Sequence, residues 1–316
     1  MSSAEKNISC LLPVKNGQDY LNDLLPRILD MLEFSDELII INDGSTDNTF
    51  RIVESFMSKD KRVKVFTTPG VGLVSALNLG VSESSNPWIA RFDVDDYFDP
   101  SRLSIQRSLI ADSIAVVFSD YSFISHSGHF LGTIRSAVSP TATLLSLISA
   151  QRTAHPVALI NRKFLLASGG YLPQEFPAED LGLWLRISRF GDLVSVPAVL
   201  LDYRLSGKSI SRLNRDHQLR RKDQLIDDWV GWSSVYNDCI SSLGETVNKY
   251  LSLEGGHQRI LLHFRELKIV SNVLDEQFKM NWILKNLTFR TQLSLIGAGL
   301  SLTYWLILRK VYRIFQ

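Results

Sequence analysis

Ile89-Ala90-Arg91-Phe92-Asp93-Val94-Asp95-Asp96 ends an apolar run in three carboxylates within four positions. A strand that stops this way puts clustered negative charge at its carboxyl end, the edge where open α/β sheets bind ligands. Carboxylates this close repel one another unless a cation or donors compensate. A hard divalent ion such as Mg²⁺ or Mn²⁺ is the simplest compensation, and such ions bridge to phosphate oxygens. The stretch therefore points to a metal–diphosphate site. The structural alternative is a turn with capping carboxylates before Pro100. It accounts for one or two aspartates, but not for three beside Arg91.

Upstream, short apolar runs alternate with helical patterns. Ile8–Val14, Leu38–Ile41, Val63–Phe66 and Trp88–Phe92 read as strands. Leu38–Ile41 is continuously apolar and is expected to be buried on both faces. Leu21–Leu32 (interrupted by Pro26), Asn48–Met57 and Leu73–Val81 read as helices. This alternation implies right-handed crossovers and a mainly parallel sheet. After Pro100 the pattern adds helices over Ser101–Ala111, Thr141–Ala150, Arg162–Ala167 and Asp180–Phe190. Ala115–Phe118, Phe130–Ile134, His155–Ile160 and Leu193–Leu200 are strand-like. From about Arg212 the chain reads as helical, with Trp229 and Trp232 among the packing residues.

Four more segments carry candidate chemistry. Pro13-Val14-Lys15-Asn16-Gly17 turns the backbone away from the first strand. Asn42-Asp43-Gly44-Ser45-Thr46-Asp47 ends the second. Ser45 or Thr46 can cap the following helix, which leaves Asp43 free to accept a base N–H or a ribose hydroxyl. Glu179-Asp180 opens a helix, where carboxylates suit the dipole, and offers a general base. Tyr203-Arg204-Leu205-Ser206 says little alone.

The chain has 316 residues, 45% of them hydrophobic and 21% charged, with a formal net charge of +1. That is a globular composition, and no global field argues for nucleic acid. The two cysteines, Cys10 and Cys239, suggest neither a disulfide framework nor a zinc site. The opening Met1–Lys6 lacks the apolar core of a signal peptide, so a cytoplasmic catalytic domain is expected.

These segments, in this order, resemble the inverting family-2 glycosyltransferases, and more narrowly the bacterial enzymes of capsule, exopolysaccharide or lipopolysaccharide synthesis. The matching features include Leu12–Gly17, Ile41–Asp47, Gly72–Gly80, Ala90–Asp96, His155-Pro156, Gly169-Gly170-Tyr171, Glu179–Trp184 and Tyr203-Arg204. The resemblance covers about the first two-thirds of the chain. It implies an α/β GT-A fold over 1–211, with a nucleotide half of about 1–100 and an acceptor half of about 101–211, and a helical C-terminal extension over 212–316. It implies that Pro13, Val14 and Lys15 line the base pocket and that Asp43 binds base or ribose. Gly72, Asn78, Arg91, Asp93 and Val94 would complete the nucleotide-sugar site. Asp95, with Asp93, would hold Mg or Mn. Asp180 would be the catalytic base, with Glu179 and Trp184 on the acceptor side. The donor would be a nucleotide-diphosphate sugar, a UDP-sugar favoured, and the acceptor a glycan or polyprenyl-linked hydroxyl.

Lys15 stands where the family usually carries an aromatic residue, and Ser206 where many members carry histidine. The base and the third metal ligand are therefore open. A sugar-1-phosphate nucleotidyltransferase is the alternative enzyme, but Lys15-Asn16-Gly17 is too sparse for its basic phosphate loop. A catalytically inactive binding or scaffold protein is the non-enzymatic alternative. Leu293–Leu308 is strongly apolar and flanked by Lys285, Arg290, Arg309, Lys310 and Arg313. It is shorter than the ~20 residues of a spanning helix. The expectation for 289–316 is a membrane-associated helix on the cytoplasmic face of the inner membrane, against packing on the catalytic domain.

Overall fold

The computed structural model describes residues 3–137, 139–149, 153–205 and 214–232. Met1–Leu147 with Gln151–Trp229 form one compact unit, and Ile148–Ala150 with Val230–Gln316 a second. The site lies wholly within the first. The apolar segment 289–316 lies outside the described residues. Among the described residues no helix is long and apolar enough to cross a membrane.

The strands are β1 (Ile8–Val14), β2 (Glu37–Asp43), β3 (Val63–Thr68), β4 (Trp88–Arg91), β5 (Tyr97–Phe98), β6 (Ile114–Ile124), β7 (Phe130–Ile134), β8 (Leu159–Asn161) and β9 (Asp192–Arg204). The helices are α1 (Gln18–Met31), α2 (Thr49–Met57), α3 (Leu73–Glu83), α4 (Arg102–Ser108), α5 (Pro140–Ser149), α6 (Arg162–Ala167), α7 (Glu179–Ile187) and α8 (Arg215–Trp232). Among the described residues they build a 9-stranded sheet of order β3-β2-β1-β4-β8-β6-β9-β5, with β7 paired to β6.

The parallel pairing expected from strand–helix alternation runs through β3, β2, β1 and β4. Leu38–Ile41 are wholly buried at its centre, as a continuous apolar run requires. Beyond β4 the sheet is mixed. β8 is antiparallel to both neighbours, while β6 and β9 run parallel.

Three elements differ from the sequence reading. α1 continues through Pro26 without interruption. The carbonyl that Pro26 leaves unpaired belongs to Asn22, which is exposed as Pro26 is. Water can therefore serve it. Burial of Leu21, Leu24, Leu25 and Ile28, each worth roughly 1.5–3 kcal/mol, outweighs the ~3 kcal/mol of an interior proline. His155–Val157 is a 3₁₀ turn, and the strand is confined to Leu159–Asn161. Pro156 lacks the N–H that a ladder needs and its fixed φ suits a turn. β5 has two residues, too short to show any periodicity.

Candidate active site

β1 pairs with both β2 and β4 in parallel, so the loops after all three leave the same edge of the sheet. Two of them are stapled together. The Asn16 N–H donates to Ser45 Oγ (2.9 Å), and Asn16 Oδ1 accepts from the Thr46 N–H (2.8 Å). The Gly17 N–H donates to Thr49 Oγ1 at 2.8 Å. Helix α2 is entered through Asp47, whose Oδ1 accepts the Thr49 N–H at 2.9 Å. Neither Ser45 nor Thr46 caps it, because both are engaged with Asn16.

Asp43 is not free, contrary to the sequence reading. Its carboxylate accepts the Thr68 hydroxyl (2.6 Å) and the Val71 (2.6 Å) and Gly72 (2.9 Å) N–H groups. Burial works to raise its pKa, but these three donors and the Lys15 ammonium outweigh it and hold the group below the ordinary range. Asp43 thus fixes the exposed Pro69–Gly72 loop beside Lys15. Gly44 makes the turn possible, with φ of +67° and a hypothetical Cβ only 2.7 Å from the Gly70 nitrogen. Gly44→Ala is expected to cost about 1–3 kcal/mol through left-handed strain and backbone collision. A lowered denaturation midpoint checks this, and an unchanged midpoint would show that the loop yields freely.

Pro13 and Val14 are buried in β1. Val94 packs over Gly17, within 2.9 Å of where a Cβ would stand. Asn78 uses both ends of its amide elsewhere: Nδ2 donates to the Tyr171 carbonyl (2.7 Å) and Oδ1 accepts the Tyr171 N–H (3.0 Å). Asn78, expected at the nucleotide-sugar site, here clamps α3 to the loop before α7.

Arg91 is 2% exposed and is the hub of the acidic loop. Its Nη2 pairs with Asp93 Oδ1 at 2.7 Å, and Nη1 donates to the Phe92 carbonyl. Burial opposes its charge, but Asp93, Tyr171 and Asp96 more than offset that. Arg102 braces the same strand end. It is wholly buried, donates to the Arg91 carbonyl at 2.9 Å and lies over the Phe92 ring.

Asp95 is half-buried, and its pKa is raised by burial and then by Asp93. Asp96 is raised further by burial, Asp93 and Asp95. Its Oδ1 accepts the Arg204 N–H at 2.8 Å, and its Oδ2 is buried without a hydrogen-bond partner. Arg204, at the end of β9, donates to the Asp95 carbonyl at 2.8 Å and lies over Tyr97. A polar cavity of about 380 Å³ opens between this loop and Asp19, Tyr20, Asp23 and Arg27 of α1.

These groups fit a divalent cation. The donors are hard carboxylate oxygens; burial and then charge repulsion raise the proton affinity of Asp95 and Asp96, and Asp96 Oδ2 lacks any hydrogen-bond partner. Among the described residues no group of three or more His, Cys, Asp or Glu is arranged to hold a metal unaided. Two carboxylates completed by phosphate oxygens is the arrangement Mg²⁺ prefers.

Glu179 and Asp180 open α7. Glu179 is buried, its Oε2 has no hydrogen-bond partner, and its pKa is pushed up to about 7 by burial and by Asp180. Asp180 is more accessible. Burial raises its pKa, against the Lys222 and Arg91 charges and the Leu181 N–H at 2.8 Å. Trp184, expected to face an acceptor, is wholly buried edge-on to Phe118 and His155. It is a core residue beneath the site, because the α7 face that carries it packs on the sheet. His155 donates or accepts at the Tyr171 hydroxyl (2.9 Å), and burial holds it neutral.

The two acidic groups, 84 positions apart between Asp96 and Asp180, both lie within the field of the buried Arg91. Arg91 acts on Asp95, Asp96, Glu179 and Asp180 alike. The half-buried Tyr203 hydroxyl is pushed up by burial and then by Asp93, Asp96, Asp95 and Asp180 together. Sequence reasoning missed Lys222 on α8. The signal was present in the Gln218, Lys222 and Trp229 stripe, but nothing in it named α7 as the partner.

Residues 9–157 match the family described as Glycosyl transferase family 2. The chain carries a family 2 glycosyltransferase domain. An uncharacterized glycosyltransferase of Haemophilus influenzae is 33% identical over 124 residues, 39% of this chain and 50% of that protein. The chondroitin synthase of Pasteurella multocida is 23% identical over 268 residues, 83% of this chain and 28% of that protein. The chain thus spans half or less of the length of these relatives. The fold is GT-A, shared with S. aureus TarS 1-349 solved with UDP-GlcNAc. That structure has a TM-score of 0.55 and 18% identity over 84% of this chain and 89% of that one. The mannosyltransferase PcManGT of Pyrobaculum calidifontis, solved with GDP-Man and Mn²⁺, gives a TM-score of 0.53 at 13% identity over 97% and 84%. The family 2 match ends at 157, so Glu179, Asp180 and Lys222 lie beyond it.

Proposed function

We propose that this chain is a metal-dependent inverting glycosyltransferase. It would move a sugar from a nucleotide-diphosphate sugar to a hydroxyl of a glycan or polyprenyl-linked acceptor in surface polysaccharide synthesis. The observation that carries the reading is the meeting of Asp93-Val94-Asp95-Asp96 with Glu179-Asp180 around Arg91.

Asp180, the more exposed of the α7 pair, takes the acceptor proton as the hydroxyl attacks the anomeric carbon. General-base assistance of this kind is worth roughly 10²–10⁴-fold. Attack opposite the diphosphate inverts the anomeric centre in one displacement. Asp95 and Asp93 would hold a Mg²⁺ or Mn²⁺ ion, which supplies charge neutralisation to the departing diphosphate. Arg91 keeps the acidic loop folded back, and Arg204 pins the Asp95 backbone. Lys15 and the loop held by Asp43 border the base and ribose. A UDP-sugar is favoured, consistent with the UDP-GlcNAc bound by TarS, whereas PcManGT carries GDP-Man. Lys15-Asn16-Gly17 is tied to Ser45 and Thr46 and offers no open phosphate loop of the nucleotidyltransferase kind.

The test is a panel of UDP-, GDP- and dTDP-sugars scored by thermal stabilisation with Mn²⁺ and with EDTA. One donor is expected to raise the melting temperature only with the metal, as binding to the folded state must. No stabilisation by any member in Mn²⁺ or Mg²⁺ would overturn the reading, and would leave a non-catalytic role for the fold.

A further inference from the structure

Helix α8 is fastened along α7 at two points. The Gln218 side-chain N–H donates to the Pro177 carbonyl just before α7 (2.9 Å), and the Trp229 indole N–H donates to the Leu185 carbonyl near its end (3.1 Å). The two helices therefore run in the same sense. Lys222 follows Gln218 by four residues and precedes Trp229 by seven, so all three share one helical stripe. Its half-buried stem leaves the docked face one turn beyond Pro177, over the first turn of α7. That turn holds Glu179 and Asp180.

We infer that Lys222 is a positioning residue for this acidic pair, its ammonium the counter-charge that keeps Asp180 aimed into the cleft beside Glu179. The role rests on Asp180 being the base. The pair needs such a partner. Glu179 Oε2 is buried with no hydrogen bond, and the other groups facing the pair are Arg91, Asp93, Tyr171 and Tyr203. Only Arg91 among these is cationic, and Asp93 already occupies it. Burial lowers the Lys222 pKa, while Asp180 and Glu179 raise it. The two carboxylates thus offset part of the cost of burying the ammonium.

Stability against pH tests this without donor or acceptor. A carboxylate whose folded pKa lies above its unfolded value stabilises the fold fully at low pH, and that stability is lost as pH rises through the folded value. For Glu179 the window runs from 4.5 to about 7. Lys222 acts on Asp180, the other member of the coupled pair, and so reduces the loss. Lys222→Met keeps a stem of similar volume but removes the charge. Relative to the native chain it should lose a few degrees of melting temperature progressively across that window, and lose nothing below it. Lys222→Arg should follow the native profile. In a Glu179→Gln, Asp180→Asn background, Lys222→Met should give a pH-independent difference. A difference constant across the window in the native background would overturn the inference and make Lys222 a packing residue. The separate failure of Asp180 as base would appear instead as retained transfer by Asp180→Asn, with the pH-dependent difference intact.

Discussion

Asp180→Asn is expected to lower transfer by roughly 10²–10⁴-fold while nucleotide-sugar affinity stays near native. The amide keeps the shape of the carboxylate and can accept the Leu181 N–H as Asp180 Oδ1 does. It cannot take a proton. The loss should therefore fall on kcat, since the proposed donor site is built from the acidic loop and the Lys15 side rather than from α7. The neighbouring pair sharpens the test. Glu179 is buried and pushed up to about 7, whereas Asp180 is more accessible and its upward shift by burial is opposed by Lys222, Arg91 and the Leu181 N–H. Environments that push two carboxyls apart assign them different duties. Glu179 takes up a proton as pH falls toward neutrality, which would leave Asp180 to act as base. The base must be ionised, so transfer should fall on the acid side, with an apparent pKa belonging to the pair. Where Asp180 titrates, Glu179 is already neutral, so Glu179→Gln should leave that acid limb in place and spare most of the rate. Near-native transfer by Asp180→Asn in a discontinuous product assay would remove Asp180 from the mechanism.

The parallel half of the fold was legible because its strands are buried on both faces and written as unbroken apolar runs. Leu38–Ile41 is the clearest case, and its boundaries in the structure differ only by the flanking Glu37, Asn42 and Asp43. The acidic loop was legible for a different reason: three aspartates in four positions have few structural uses. What stayed hidden is contact between distant polar groups. Asp43 looked uncommitted because its donors, Thr68, Val71 and Gly72, lie more than 24 positions downstream. Asn78 looked available because its partner is 93 positions away. Trp184 was misplaced because a tryptophan one turn after a carboxylate shares its helix face and reads as a sugar platform, and only the packing of that turn decides whether it is open or buried. Glu179-Asp180 sits on the accessible end of α7, whereas Trp184 lies one turn later on the face against Phe118. Lys222 needed the docking of α8, which no local pattern encodes.

Asp95→Ala should abolish the metal-dependent part of nucleotide binding, a loss of roughly 100-fold or more, given that even groups supporting a metal ligand cost 10–100-fold. Calorimetric titration in Mn²⁺ measures it, and the same titration in EDTA should give equal affinities for native and variant chains. Asp95 is a cleaner target than Asp93. Removing Asp93 would strip the buried Arg91 of its ion pair at 2.7 Å and leave an uncompensated charge inside the protein. Removing Asp95 leaves the backbone hydrogen bond from Arg204 in place, since that bond is to the carbonyl. It also relieves repulsion. Asp95 helps raise Asp96, so without metal the variant should melt at or above the native temperature near neutral pH. Loss of affinity with retained or increased stability separates a lost ligand from a damaged fold. Unchanged affinity in Mn²⁺ would mean that the acidic loop serves the fold alone, and the diphosphate would have to be held by cationic side chains such as Lys15.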